Sequence, residues 1–245
     1  MVKKNIHTHI FQRIQSELGV LIANMKDGEK LPAEPVLAQQ FNTSRSTLRE
    51  AMRTFEAQGR LRRIQGKGTF ILEKPQVIES GLEVLESIES LASKMGLQVS
   101  MGDLHIISME ADEELAKLMH LKLGECLTKT DRIILAENRP TAFLVDILPE
   151  GILGNNEING SFHGSVLDWL LKRGYPKLDR SKTCIKSLLA DKDIARALKI
   201  QRGDAILVFE ADLIDVDGRI VDHSYSYFLP GYFRFFINRK VGAQP

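Results

Sequence analysis

Apolar residues recur at three- and four-residue spacing through Ile10, Phe11, Ile14, Leu18, Leu21, Ile22 and Met25. This spacing predicts an amphipathic first helix capped by Thr8 and stopped at Asp27-Gly28. Leu31-Pro32-Ala33-Glu34 opens a second helix that turns Val36, Leu37 and Phe41 inward, and Pro35 is tolerated there because it falls in the first turn. After a break at Asn42-Thr43, Leu48, Ala51, Met52 and Phe55 give a third helix one buried stripe, with Ser44 as its cap and Gly59 as its stop. Residues Leu61 to Ile71 then read as two strands around Gly66-Lys67-Gly68. Beyond a break at Lys74-Pro75, Ser80-Gly81-Leu82-Glu83 has the form of a capping box ahead of Leu82, Leu85, Ile88 or Glu89, Ala92 and Met95, predicting a connecting helix.

The remainder repeats itself. Ala111 to Leu118 and Gly124-Glu125 match Ala190 to Ala197 and Gly203-Asp204 at a constant offset of 79. Each copy reads as a capped helix, a Gly turn and a strand (Cys126 to Leu135, Ala205 to Ile214), followed by a turn at Glu137-Asn138 or Asp217-Gly218 and a returning strand. Two such copies predict an α+β domain with a mainly antiparallel sheet of pseudo-twofold character, and a pocket or a solid core between the halves.

Charge divides the chain the same way. The net charge is +1, yet residues 1–72 carry twelve Lys or Arg against six Asp or Glu, leaving residues 73–245 mildly acidic. A basic head on a near-neutral body suits a polyanion reader attached to a domain with another task. Cys126 and Cys184 lie in apolar, strand-like stretches, which predicts inert core thiols, no disulfide framework and a reducing compartment. No apolar run approaches the roughly 20 residues needed to span a bilayer, and no secretory leader is visible, so a cytoplasmic protein without a membrane partner is expected. His105, His120, His163 and His223 lack metal-ligand spacing. No nucleophile-base pair or phosphate loop is present, so neither a catalytic set, a metal nor a cofactor is expected.

The chemistry concentrates in the head. Arg45, Arg49 and Arg53 form a column on the third helix opposite its apolar stripe, and Ser44 and Thr47 add hydroxyls at its start. Guanidinium groups pair with guanine edges or phosphates and hydroxyls bond phosphate oxygens, which is the chemistry of a recognition helix, although a solvated basic face has the same composition. Gly66 and Gly68 let the following turn approach a sugar-phosphate wall while Arg62, Arg63 and Lys67 supply charge. Three helices and a basic hairpin in this order make a winged helix-turn-helix.

Residues 29–38, Ser44 to Ala51 and Arg62 to Phe70 resemble the successive signatures of the GntR family of bacterial transcription regulators. The resemblance implies DNA contacts from Arg45, Thr47 and Arg49 on the helix and from Gln65, Gly66 and Lys67 on the wing; Pro35 stands where members often carry a DNA-contacting Arg. Residues 80–240 resemble the UTRA ligand-sensing domain of the HutC-type branch, similar in fold to chorismate lyase, through Arg132 to Pro149, Ser165 to Gly174, Asp191 to Gly203 and Asp215 to Phe235. Members commonly bind small metabolites, often phosphorylated sugars. Carried over position by position, Arg132, Ser165 and Asp222 match pocket residues, whereas Ile134, Leu144, Ala211 and Gly231-Tyr232 replace polar ones. A missing guanidinium removes a bidentate clamp on an anion, so a less charged or more apolar effector is expected, held by Arg132, Ser165, Asp222 and an aromatic such as Tyr227 or Phe228, with His163 beside them. The plainer alternative pairs Arg132 with a carboxylate such as Asp146 and leaves the aromatics in the core.

The expectation is an α+β chain with a winged helix-turn-helix at 1–72, a linker and connecting helix at 73–96, and a UTRA-like effector-binding and dimerisation domain at 97–245. Its function would be sequence-specific repression by a homodimer on a double-stranded DNA operator with twofold symmetry, controlled by a small-molecule effector. The alternatives are a ligand-independent DNA-binding regulator with a filled pocket and a lyase-like enzyme.

Overall fold

The computed structural model describes residues 2–64, 66–72, 77–153, 162 and 164–240, with residues 2–9 and 57 described by their backbone. The chain forms two compact units, Met1–Val77 with Pro230–Tyr232 and Ile78–Leu229 with Phe233–Pro245.

In the first unit, helices α1 (Val2–Ala23), α2 (Glu34–Gln40) and α3 (Arg45–Ala57) precede strands β1 (Leu61–Ile64) and β2 (Gly68–Ile71). Helix α1 begins well before Thr8, because nothing from Val2 to Leu18 is Gly or Pro and the helix has no reason to stop there. Ile14, Leu18, Leu37, Leu48 and Met52, all spaced for one helical face, meet in a core closed by Leu61 and Ile71. Gly19 admits the Phe55 ring, which would lie 3.4 Å from an added Cβ. Strand β1 pairs antiparallel with β2. Backbone bonds from Leu31 N–H to Thr69 O and Ile71 N–H to Glu29 O, each 2.8 Å, add residues 29–31 to the other side of β2.

The second unit is built on a six-stranded sheet. Its strands are β4 (Val99–Glu110), β5 (Cys126–Ala136), β6 (Arg139–Pro149), β7 (Leu178–Leu189), β8 (Ala205–Asp215) and β9 (Ile220–Phe228), in the spatial order β4-β5-β6-β9-β8-β7, with every neighbouring pair antiparallel. Helices α5 (Glu113–Met119) and α7 (Lys192–Leu198) occupy the repeat positions, and α6 (Val166–Arg173) lies between the copies in sequence. The repeat extends to single hydrogen bonds. Asp112 caps α5 and Asp191 caps α7; Ala111 N–H meets Glu125 O at 2.9 Å, and Ala190 N–H meets Asp204 O at 2.8 Å. It also reaches further back than the helices: β4 and β7 each precede their helix at the same offset.

One sheet face is covered by α5 and α7 over Leu127, Val145 and Ile147. The other carries α6 over Leu148 and Leu213, and a parallel pair, β3 (Ile78–Gly81) with β10 (Phe233–Phe236), together with α4 (Ile88–Lys94). The strand takes the expected cap, Ser80-Gly81, and residues 82–87, expected to open the connecting helix, are non-helical. Ile78 and Ser80 are buried and Glu79 exposed, a period of two fixed by pairing with residues far along the chain. The helix starts only at Ile88, where the Ser87 hydroxyl accepts from Ser90 N–H. Cys126 and Cys184 are exposed rather than in the core: Cys126 opens its strand, and Cys184 lies on β7, an edge strand with an open face.

Candidate functional site

On the head, Ser44 caps α3 by accepting from Thr47 N–H at 3.1 Å, and its Oγ lies 2.8 Å from the hydroxyls of both Ser46 and Thr47. Thr47 is buried, so its hydroxyl braces the cap instead of standing free as a reader. Arg45 and Arg49 are exposed and line an open groove of about 810 Å³ whose other wall holds Arg63, Gly66 and Lys67. Gly66 adopts φ 75°, a left-handed turn conformation that suits glycine. Arg62 is exposed but is not part of this groove: strand alternation gives Arg63 the side shared with the core residue Leu61 and turns Arg62 away. Gln65 lies outside the described residues. Glu34 was not foreseen in this groove. Its carboxylate accepts from Arg49 Nε at 2.6 Å and also pairs with Arg63, tying the recognition helix to the wing.

In the second unit, a cavity of about 600 Å³ opens between the sheet and the layer formed by β3, α4, β10 and the start of α6. Arg132, Ser165, Asp222 and Phe228 line it. Tyr227 does not. On β9, residues 222, 224, 226 and 228 face the cavity, and Tyr227 projects from the opposite face, stacked on Phe143 with ring centroids 5.7 Å apart. His223 shares that opposite face, its Nδ1 2.7 Å from Asp212 Oδ1. His163 lies outside the described residues.

Arg132 is buried, and its Nη1 donates to Glu89 Oε1 and to Gly164 O, both at 2.7 Å. Its Nε lies 3.5 Å from Asp146 Oδ2, close enough for attraction but out of hydrogen-bond alignment, and makes no hydrogen bond. Pairing of Arg132 with a carboxylate thus accompanies its place in the cavity wall. Asp222 Oδ1 accepts from Ile147 N–H at 3.2 Å. Burial pushes the Asp222 carboxyl well above the usual carboxylate range, and the neighbouring Asp146 charge pushes it further. Burial also raises Asp146, against the opposing pull of Arg132. Ser165 is the α6 cap, accepting from Asp168 N–H at 3.2 Å, while Asp168 Oδ2 accepts from Ser87 Oγ at 2.6 Å and so joins the starts of α6 and α4. Glu89 was missed because its helix position was read as an ordinary turn of a longer helix. Glu34 reads in sequence as an ordinary acidic first-turn residue of α2, because its partners Arg49 and Arg63 belong to other elements.

A basic recognition helix with a wing, followed by a sheet domain enclosing a polar cavity, defines a class of DNA-binding regulators with a sensing module. Residues 8–71 match the model of bacterial regulatory proteins of the gntR family, and residues 94–234 match that of the UTRA domain. The chain belongs to the GntR family, in the branch that carries a UTRA domain, and is a DNA-binding transcription regulator, not an enzyme. The HTH-type transcriptional repressor NagR of Bacillus subtilis (strain 168) is 26% identical over 230 residues, covering 93% of both chains. The mannosyl-D-glycerate transport/metabolism system repressor MngR of Escherichia coli (strain K12) is 24% identical over 239 residues, covering 96% of both. Among solved structures, PhnF from Mycobacterium smegmatis matches with a TM-score of 0.64 at 21% identity, over 94% of this chain and all of that one, a likeness of fold. Among the described residues no helix is long and apolar enough to cross a membrane, and no cluster of His, Cys, Asp and Glu has the makings of a metal site.

Proposed function

We propose that the protein is a cytoplasmic repressor that binds a twofold-symmetric operator as a homodimer and releases it when a small-molecule effector enters the cavity. Residues 1–72 act as the reader, 73–96 as the joint and 97–245 as the sensing and dimerising part. The observation that carries this reading is the groove between α3 and the wing, where Arg45, Arg49, Arg63 and Lys67 converge. Arg45 and Arg49 would reach base edges or phosphates from the helix, and Gly66 and Lys67 would meet the backbone from the wing, with Gln65 beside them and Arg62 adding charge from outside the groove. Ser44 and Thr47 hold the helix start in shape. Repression is supported by the two relatives named as repressors that match 93% and 96% of the chain.

The cavity favours an effector-controlled regulator over one with a filled pocket, since about 600 Å³ is room for a small metabolite. Arg132, Ser165, Asp222 and Phe228 would contact it. Residues 80–88, which follow the head in sequence, form part of the cavity wall, so a bound molecule would bear directly on the segment that leads to the reader. For release to follow, the effector must favour one arrangement of that segment over another. Selection of binding sequences from a random duplex pool by the purified full-length protein tests this. An inverted repeat bound by a dimer, and released by some fraction of a metabolite extract, is expected; failure to enrich any sequence would refute it.

A further inference from the structure

We infer that the cavity takes a ligand bearing a positively charged nitrogen, an ammonium or guanidinium group, seated against Asp222 and Asp146. This rests on the effector role proposed above and assigns the chemistry of that effector.

Among the described residues two guanidinium groups line the cavity, and each already has a carboxylate partner. Arg180 is largely exposed and pairs with Asp179 at 2.5 Å. Arg132 is bonded to Glu89 and Gly164 and attracted by Asp146, so two carboxylates already match its charge before Asp222 is counted. Asp222 is the surplus. It is 5% exposed and lines the cavity, its Oδ1 is occupied by Ile147 N–H, and among the described residues its Oδ2 makes no hydrogen bond or ion pair. A carboxylate oxygen that borders the cavity without a protein donor can take one from a ligand, and a multidentate cation supplies both donors and charge. Ser226, on the same strand face, offers a hydroxyl to the same ligand. A phosphate here would instead meet the Glu89 and Asp146 carboxylates beside the guanidinium.

The groups facing Asp222 are Arg132 from β5 and Asp146 from β6, with Glu89 of α4 acting through Arg132; Asp212 of β8, on the opposite face beside His223, adds negative charge through the sheet. Burial and the Asp146 charge raise the Asp222 carboxyl, so a proton holds the place that a cation would take. Binding of the cation then competes with that proton.

The test uses the full-length protein on its selected operator. A low-molecular-mass metabolite extract is separated on strong cation and anion exchangers at neutral pH, and each fraction is assayed for operator release. Release is expected in the fraction retained by the cation exchanger. Its potency should rise with pH, by up to about tenfold per pH unit, until the carboxyl is fully ionised. Asp222→Asn, checked for fold by circular dichroism, should need about tenfold or more of that fraction for the same release. Release confined to the anion-retained or unretained material overturns the inference and leaves the regulator reading standing; the fractionation decides this without any variant. Release by the cationic fraction that is undiminished in Asp222→Asn overturns the assignment to Asp222. Release by no fraction removes the effector reading itself.

Discussion

Replacing Glu34 by Gln is expected to trade specificity for general affinity. One carboxylate orients a guanidinium from the recognition helix, Arg49 at 2.6 Å, and one from the wing, Arg63. The Glu34 side chain is 17% exposed, against 55% and 46% for its partners, so solvent screens both pairs. Their direct contribution to the stability of the head is about 1 kcal/mol or less. The larger effect lies in ordering. Immobilising a long side chain at an interface costs about 0.5–1.5 kcal/mol, and Glu34 has already ordered two. The variant should therefore lose about 1–3 kcal/mol of operator binding, roughly 5- to 150-fold in Kd. It also gains a unit of positive charge, so binding to random duplex should strengthen. Fluorescence anisotropy titrations on operator and random duplex at matched salt measure both. A change by the same factor on the two duplexes, or an unaltered operator affinity, would refute the orientation argument and leave Glu34 as an ordinary surface ion pair.

Arg45→Ala should cost about 1–3 kcal/mol of operator binding and relax base preference, whereas Lys67→Ala should weaken operator and random duplex alike; the same titrations separate them. Leu148→Ala empties a fully buried site beneath α6 and should destabilise the sheet domain by about 2–5 kcal/mol in urea unfolding. A loss no larger than that of a surface change would contradict the packing described. Because the Asp222 carboxyl is raised on folding, the folded chain holds a proton that the unfolded chain has released. Stability therefore falls as pH climbs from the ordinary carboxylate range through the raised one. Asp222→Asn keeps an acceptor for Ile147 N–H and should be more stable than the parent at neutral pH, the gap closing towards acid in thermal unfolding. A gap that widens on acidification would reverse the sign of the argument.

What could be read in advance was local chemistry. Ser44, Asp112 and Asp191 are caps whose side chains bond amides two or three residues on, and the hairpin turn at Glu137-Asn138 has positive φ at both residues, 50° and 61°. The recognition helix followed from its stripe and its arginines. What escaped depends on partners distant in sequence. Ser80-Gly81 has the composition of a helix cap, but β10 recruits it into a strand from about 155 residues away. Tyr227 and Phe228 look equivalent until the register of β9 assigns them to opposite faces, and Arg62 and Arg63 divide on β1 in the same manner. Cys184 seems apolar by its neighbours, yet its strand has no neighbour on one side.

The seam where β6 meets β9 has a consequence for how a guest must enter. The two copies are related across that seam, so the sheet wall of the cavity presents the same backbone to a small molecule in either of two opposed orientations. The side chains remove the degeneracy: the counterpart of Arg132, 79 positions on, is Ala211, and both border the cavity. A repeated sheet wall thus faces a non-repeated layer, and unlike side chains at repeated positions, Arg132 against Ala211 among them, give the container a head and a tail.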